Sequence, residues 1–175
     1  MKVGTLVLID EAYYPFYIYT SKKFIKKFPN LIIVRTTAKA WGLAGLRVGY
    51  VLSSINIIKE MHKVRPMYEI NNIAAELFNK YLDKKSLVRN SVRRLLEGKK
   101  YFTKKMQNLG FDLFKKEEGN FIHVNFKNHR EKILKQLSKR VYFRHNESHK
   151  SIANFSRFTL TSIENFKQIT KIIKK

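Results

Sequence analysis

Cysteine is absent from the 175 residues, which excludes disulfides, thiolate metal sites and cysteine nucleophiles. No apolar run approaches the roughly 18 residues of a membrane-spanning helix, and no N-terminal stretch is long and apolar enough for a signal peptide. A cytoplasmic protein without a membrane partner is the expectation. Internal repeats and low-complexity linkers are also missing. Acidic residues are scarce, 13 against 36 Lys and Arg, for a formal charge of +23. That excess invites a nucleic-acid reading. The basic residues, however, are spread along the whole chain, and no helix-turn-helix, zinc-finger or aromatic RNA-binding signature accompanies them. Lys22, Lys23, Lys26 and Lys27 read as the solvated face of an amphipathic helix whose other face carries Phe24, Ile25 and Phe28. Nucleic acid is not an expected partner.

What is present supports a packed core. Hydrophobic residues make up 44% of the chain, enough for one domain or somewhat more. Apolar runs at Thr5–Ile9, Leu31–Val34 and Val48–Leu52 read as strands, and Ser21–Phe28 reads as a short helix stopped by Pro29-Asn30. Ser53-Ser54 is a good N-cap for a helix with Ile57, Ile58, Met61 and Val64 on one face. Arg65-Pro66 breaks that helix. Ile70, Ile73, Ala74, Leu77, Phe78 and Tyr81 then form the stripe of the next. Ser86 caps a long helix running to Gly110, suited to linking a large domain (1–85) to a small one (86–175). Short strands follow at Phe111–Phe114, Phe121–Phe126 and Arg157–Thr161, with helices near His129–Leu137 and from Glu164.

The most informative stretch is Thr36 to Tyr50, which places Lys39 in a loop of small residues directly after an apolar strand, eight positions before Arg47. A lysine that forms an imine must lose its proton, and small apolar neighbours help by desolvating the ammonium. Arginine supplies a fixed charge suited to phosphate. Imine plus phosphate anchor is the grip that pyridoxal phosphate requires. Upstream, Leu6-Val7-Leu8-Ile9-Asp10 reads as a buried parallel strand ending in a carboxylate, at the end of an open α/β sheet where ligands bind. Such a carboxylate can hold a pyridine nitrogen protonated, and Tyr13 could reach the ring's phenolic oxygen. Taken singly, Asp10 is as readily a turn cap and Tyr13 a core aromatic.

Together these residues resemble the fold-type I aminotransferases, most closely the histidinol-phosphate aminotransferase family. Asp-Glu-Ala-Tyr stands at Asp10–Tyr13, Arg-Thr-x-x-Lys-Ala at Arg35–Ala40, and Leu-Ala-Gly-Leu-Arg-x-Gly at Leu43–Gly49, in the family's order and spacing. The resemblance implies an α/β fold: part of a large cofactor-binding domain, mainly parallel sheet with helices, followed by a small α+β domain. It implies Lys39 as the Schiff-base lysine and α-proton base, Asp10 as partner of the pyridine nitrogen, and Tyr13 near O3′. Thr36 and Arg47 would hold the cofactor phosphate. Many relatives have serine just before the lysine, where this chain has Ala38. Near the C-terminus, Ser156-Arg157-Phe158-Thr159 resembles the strand whose arginine grips the substrate's α-carboxylate, and Gly119-Asn120-Phe121 resembles the Asn-Phe segment beside the site.

The resemblance covers only the C-terminal half of the family pattern. The glycine-containing helix start that cradles phosphate, the Asn-Pro-x-x-Pro-Thr-Gly segment and the ring-stacking aromatic are not in these residues. The expectation is a truncated or split chain that transfers amino groups between a donor such as histidinol phosphate and 2-oxoglutarate. Its partners would be a small amino-acid or amino-phosphate substrate and either a second copy or a complementing N-terminal half. A non-catalytic remnant, or a threonine-phosphate decarboxylase, are the alternatives. Three other constellations carry little. Asp10 and Glu11 are neighbours on a strand and point to opposite faces; His145 and His149 read as a polar surface loop rather than a metal site; Glu117-Glu118 reads as a solvated turn.

Overall fold

The structure, a computed structural model, describes residues 4–145 and 149–174. It divides into two compact units, Met1–Arg89 and Asn90–Lys175, each described by itself.

The first unit is built on three strands, β1 (Val7–Asp10), β2 (Leu31–Thr36) and β3 (Gly49–Leu52), in that spatial order. β1 runs parallel to β2, with Val7 opposite Leu31 and Asp10 opposite Val34. β3 runs antiparallel to β2, with Thr36 opposite Gly49, which corrects the mainly parallel sheet expected. The reason is the connection: residues 37–48 contain no crossover helix, and a parallel return needs one or its equivalent. Residues 11–30 do make a crossover, but not through the helix expected at Ser21–Phe28. Only a 3₁₀ turn forms at Ser21–Phe24, followed by one further turn in which the Phe28 N–H donates to the Phe24 carbonyl (2.8 Å). So short a segment needs burial to remain α-helical, and Phe24 lies exposed.

Two helices follow, α1 (Ile55–Lys63) and α2 (Asn72–Leu82). Ser54 occupies the N-cap of α1 but makes no side-chain cap bond. Its hydroxyl donates instead to the Pro29 carbonyl (2.7 Å), and that of Ser53 to Leu31 (2.6 Å), tying the end of β3 to the start of β2. Asn71 caps α2 by accepting from the Ala74 N–H (2.8 Å). The apolar stripe of α2 has the expected period, yet Ile73, Leu77 and Tyr81 are exposed and only Ala74 is buried. Phe78 packs edge-on against Trp41 (5.4 Å) and stacks on Tyr50 (6.2 Å).

The boundary between the units falls inside α3 (Lys85–Asn108). In the second unit, β4 (Asp112–Leu113), β5 (Phe121–Asn125), β6 (Arg144–His145) and β7 (Ser156–Thr159) form an antiparallel sheet in the order β4-β5-β7-β6. α4 (Arg130–Leu137) and α5 (Ile163–Ile173) complete it. Between the helices and the sheet lie fully buried Phe102, Met106, Phe126, Leu137, Phe158 and Phe166. Phe102 stacks on Phe166 at 4.3 Å and meets Phe158 edge-on at 5.6 Å. Residues 146–148, in the stretch read as a polar loop, lie outside the described residues.

Gly98, in the middle of α3, shows how closely this core is assembled. A Cβ at that position would stand 2.0 Å from the Thr161 carbonyl oxygen and 3.3 Å from Phe166. A helix-interior glycine costs about 1 kcal/mol relative to alanine, so a naive replacement should stabilise. Here the backbone carbonyl cannot yield. Gly98→Ala is expected to destabilise by about 1–3 kcal/mol, the range for overpacking; denaturant titration showing a gain would refute the close approach.

Candidate active site

Strand alternation sorts the residues at the end of the first sheet into two sets. Asp10 and Thr36 belong to one face, since Asp10 lies opposite Val34 and Thr36 follows Val34 by two. Glu11 and Arg35 belong to the other. Glu11 is buried, its N–H donating to the Val34 carbonyl (2.9 Å). Both Nε and Nη2 of Arg35 donate to Glu11 Oε2 (3.0 and 2.8 Å). The Ser21 N–H donates to Oε1 (2.7 Å), and the Thr20 hydroxyl accepts from Arg35 while donating to the carboxylate. Tyr14 covers the guanidinium at 3.8 Å. Burial alone raises the Glu11 carboxyl; the Ser21 N–H, Arg35 and Thr20 outweigh it and hold the pKa below its ordinary value. This network locks together the ends of β1 and β2, one residue away from Asp10 and Thr36. Sequence reading missed it.

The 37–48 connection is held as firmly. Thr37 is fully buried, and both its N–H and its hydroxyl donate to the Val48 carbonyl (3.1 and 2.9 Å). Trp41 against Phe78 pins the loop to α2. Lys39 projects from it into solvent, with Nζ 5.4 Å from the centre of the Tyr13 ring. The desolvated lysine expected from its small neighbours is not found: Ala40 is buried, Lys39 is exposed. Asp10 is also exposed, its Oδ1 accepting from the Ala12 N–H (2.8 Å). Thr36 Oγ1 accepts from the Ala38 N–H (3.0 Å), leaving its proton free to donate outward. Arg47 sits in the left-handed region at φ 56°, its Nη1 donating to Ala44 (3.2 Å), a strained conformation of the kind that accompanies ligand clamps.

Asp10, Tyr13, Thr36, Lys39 and Arg47 thus lie at one edge of the sheet. The antiparallel β3 begins where β1 and β2 end, which is what returns Arg47 to that edge. A cavity of ≈ 600 Å³ adjoins Arg47 and is lined by Tyr50, Val51, Ile58, Met61 and Pro66; the other four do not line it.

In the second unit Arg157 stands on β7 directly opposite His123 on β5. Its guanidinium lies over the Phe121 ring (5.3 Å), and its Nε is buried without a hydrogen-bond partner among the described residues. Asn120 immediately precedes β5, its carbonyl accepting from the Leu160 N–H (2.9 Å). Glu117 is not the solvated residue expected. Its side chain is 7% exposed and pairs with the His123 ring at Nδ1.

Comparison with known proteins places the chain in one family. The chain is 29% identical over 172 residues to the histidinol-phosphate aminotransferase of Clostridium novyi, covering 98% of this chain and 48% of the relative. That of Sulfurisphaera tokodaii is 32% identical over 171 residues, at 98% and 46% coverage. Two solved structures superpose closely. The histidinol-phosphate aminotransferase of Clostridium acetobutylicum gives a TM-score of 0.83 at 22% identity, covering 98% of this chain and 54% of that one. The Sinorhizobium meliloti enzyme, solved in complex with pyridoxal-5′-phosphate, gives 0.80 at 20% identity, covering 97% and 49%. The chain therefore spans about half the length of the relatives it matches. The family profile of aminotransferase class I and II matches residues 1–173, and the chain belongs to that family.

Proposed function

We propose that this chain supplies the lysine-bearing part of a pyridoxal-phosphate-dependent, histidinol-phosphate-type aminotransferase. The observation that carries the reading is the gathering of Asp10, Tyr13, Thr36, Lys39 and Arg47 at one sheet edge, with Lys39 Nζ against Tyr13. The donors present fit the cofactor. Asp10 keeps Oδ2 without a hydrogen bond among the described residues, and Lys39 Nζ has no hydrogen bond or ion pair there. Thr36 and Arg47 offer a hydroxyl and a guanidinium, the pair of donors a phosphate takes.

Pyridoxal phosphate, when bound, supplies an aldehyde that condenses with amines and a ring that accepts electrons. The chain's own residues do the rest. Lys39 holds the cofactor through Nζ and, once released, takes and returns the substrate's α-proton at that nitrogen. Asp10 keeps a proton on the ring nitrogen through Oδ2, and Tyr13 hydrogen-bonds the phenolic oxygen. Arg157 grips the substrate carboxylate, with Asn120 beside it; its Nε–H is a buried donor without a partner among the described residues.

The amino donor in this reading is histidinol phosphate and the acceptor 2-oxoglutarate. Because the chain spans half of its relatives, turnover is expected to require a complementing segment or a second copy. The side of β1 that is unpaired among the described residues, with the exposed Leu6 and Leu8 beside it, and the exposed Met67, Tyr68 and Ile73 are where such a partner would pack. Co-production with the N-terminal half of a full-length relative tests this. Amino transfer that appears only with both pieces is expected. Turnover by this chain alone would overturn the need for a complement, and a well-folded, cofactor-loaded pair inert toward histidinol phosphate would overturn the substrate.

A further inference from the structure

Arg157 lies on the same sheet face as a carboxylate that does not touch it. His123 and Arg157 are direct cross-strand partners, so their Cβ atoms stand about 4.5–5.5 Å apart. Glu117 reaches that face from the β4–β5 connection and spends both oxygens on His123: Oε2 accepts the His123 backbone N–H (2.8 Å), and Oε1 pairs with the ring at Nδ1. The arrangement is rigid. Lys99, on α3, donates its ammonium to the Glu117 carbonyl and also reaches the Gly119 carbonyl (3.5 Å), fixing the turn that carries Glu117. The His123 ring is wedged edge-on between Phe114 (6.1 Å) and Phe121 (5.4 Å), and Phe121 also underlies the guanidinium.

A half-buried guanidinium and a carboxylate within a side chain's reach of one another ordinarily pair, because a charge-assisted hydrogen bond is about twice as strong as a neutral one. Here they do not. Arg157 Nε remains buried and unpartnered. We propose that His123 is a positioning residue that acts as a decoy: its ring holds Oε1 of Glu117 while the backbone N–H at the same position holds Oε2, and the ring thereby keeps that carboxylate off Arg157 and preserves the arginine for an external carboxylate. This rests on the reading of Arg157 as the carboxylate grip, and deepens it by naming what protects the grip from internal quenching. Glu117 without His123 becomes an intramolecular competitor, held near Arg157 by the same turn at an effective concentration no free ligand matches.

The test uses the full chain, ¹⁵N-labelled, and follows the Arg157 Nε–H resonance, assigned by its loss in Arg157→Lys. Acetate is the probe, with chloride at matched ionic strength as control. In the unsubstituted chain acetate shifts the resonance and chloride does not. In His123→Phe, which suits the aromatic slot, the resonance starts displaced toward the hydrogen-bonded position and responds to acetate with apparent affinity at least tenfold weaker. His123→Asn, too short to reach Oε1 as the imidazole does, behaves likewise and serves if the first variant does not fold. Adding Glu117→Gln to either variant restores the response, a rescue that a merely structural histidine would not show. No acetate response in the unsubstituted chain rejects Arg157 as the grip. A normal unsubstituted response that survives His123 replacement, or that Glu117→Gln fails to restore, rejects the decoy and leaves the grip standing.

Discussion

Replacing Lys39 by alanine is expected to abolish specific attachment of pyridoxal phosphate. Incubating the chain with cofactor, reducing with borohydride and mapping the modified peptide should place the label on Lys39. The chemistry requires a primary amine that can lose its proton and that sits within reach of a phosphate anchor. Lys39 has Arg47 and Thr36 at the same sheet edge and Tyr13 alongside. Its exposure makes the control essential, because a chain with 26 lysines offers many competing amines. Lys39→Ala should lose the label while the remaining lysines show only scattered background. In a complemented enzyme the same substitution removes the general base, and a loss of at least about 10²–10⁴-fold in turnover follows. Lys39→Arg should fare no better, since a guanidinium does not deprotonate in this range. Labelling spread evenly over surface lysines, unchanged in Lys39→Ala, would remove the basis of the proposed site.

The parts of this site that could be read in advance were those tied to local motif. Asp10 after an apolar run, Lys39 in a small-residue loop and Arg47 eight positions on are all short-range features, and the strands that carry them lie where the apolar runs put them. What escaped was pairwise and long-range. The sequence presents Glu11 only as a neighbour facing away from Asp10, although that orientation places a charge against the sheet and demands a cation at the matching position of the next strand. Arg35, beside Thr36, is that cation. The antiparallel β3 was also within reach of the same logic, because residues 37–48 carry no helical period. By contrast, β6 has only two residues and no pattern to find. The clasp of Glu117 on His123 depends on how the 114–120 turn folds back, which neither period nor composition encodes. The stripe on α2 had the right period, but period predicts a face and not what covers it; in this chain most of that face is exposed.

The Glu11–Arg35 pair should dominate the stability of the first unit and make it sensitive to acid. Its side chains are 3% and 9% exposed, and removing one partner of a buried pair costs about 3–5 kcal/mol because the other charge is left uncompensated. Arg35→Met, which keeps the apolar length of the side chain, should therefore unfold at markedly lower denaturant at pH 7. The sign of the pH dependence follows from proton binding. In the unsubstituted chain the folded Glu11 carboxyl lies below its ordinary value, so the unfolded state binds more protons wherever the two differ. Its contribution is complete above the unfolded glutamate pKa of about 4.3 and disappears as pH falls through the folded one. In Arg35→Met both lowering contributions of the guanidinium are gone, so burial is opposed only by the bonds from Ser21 and Thr20; the carboxyl lies higher than in the unsubstituted chain, and acid relieves part of the defect. The gap between the two proteins should be widest near neutrality and should narrow as pH falls below about 4.3. Denaturant titrations at a series of pH values measure it directly. A gap that stays constant from pH 7 down to about pH 3, well below the unfolded pKa, would mean that the lost stability came from packing against Tyr14 rather than from charge. The lock between the ends of β1 and β2, which holds Asp10 and Thr36 in register, would then be steric in origin.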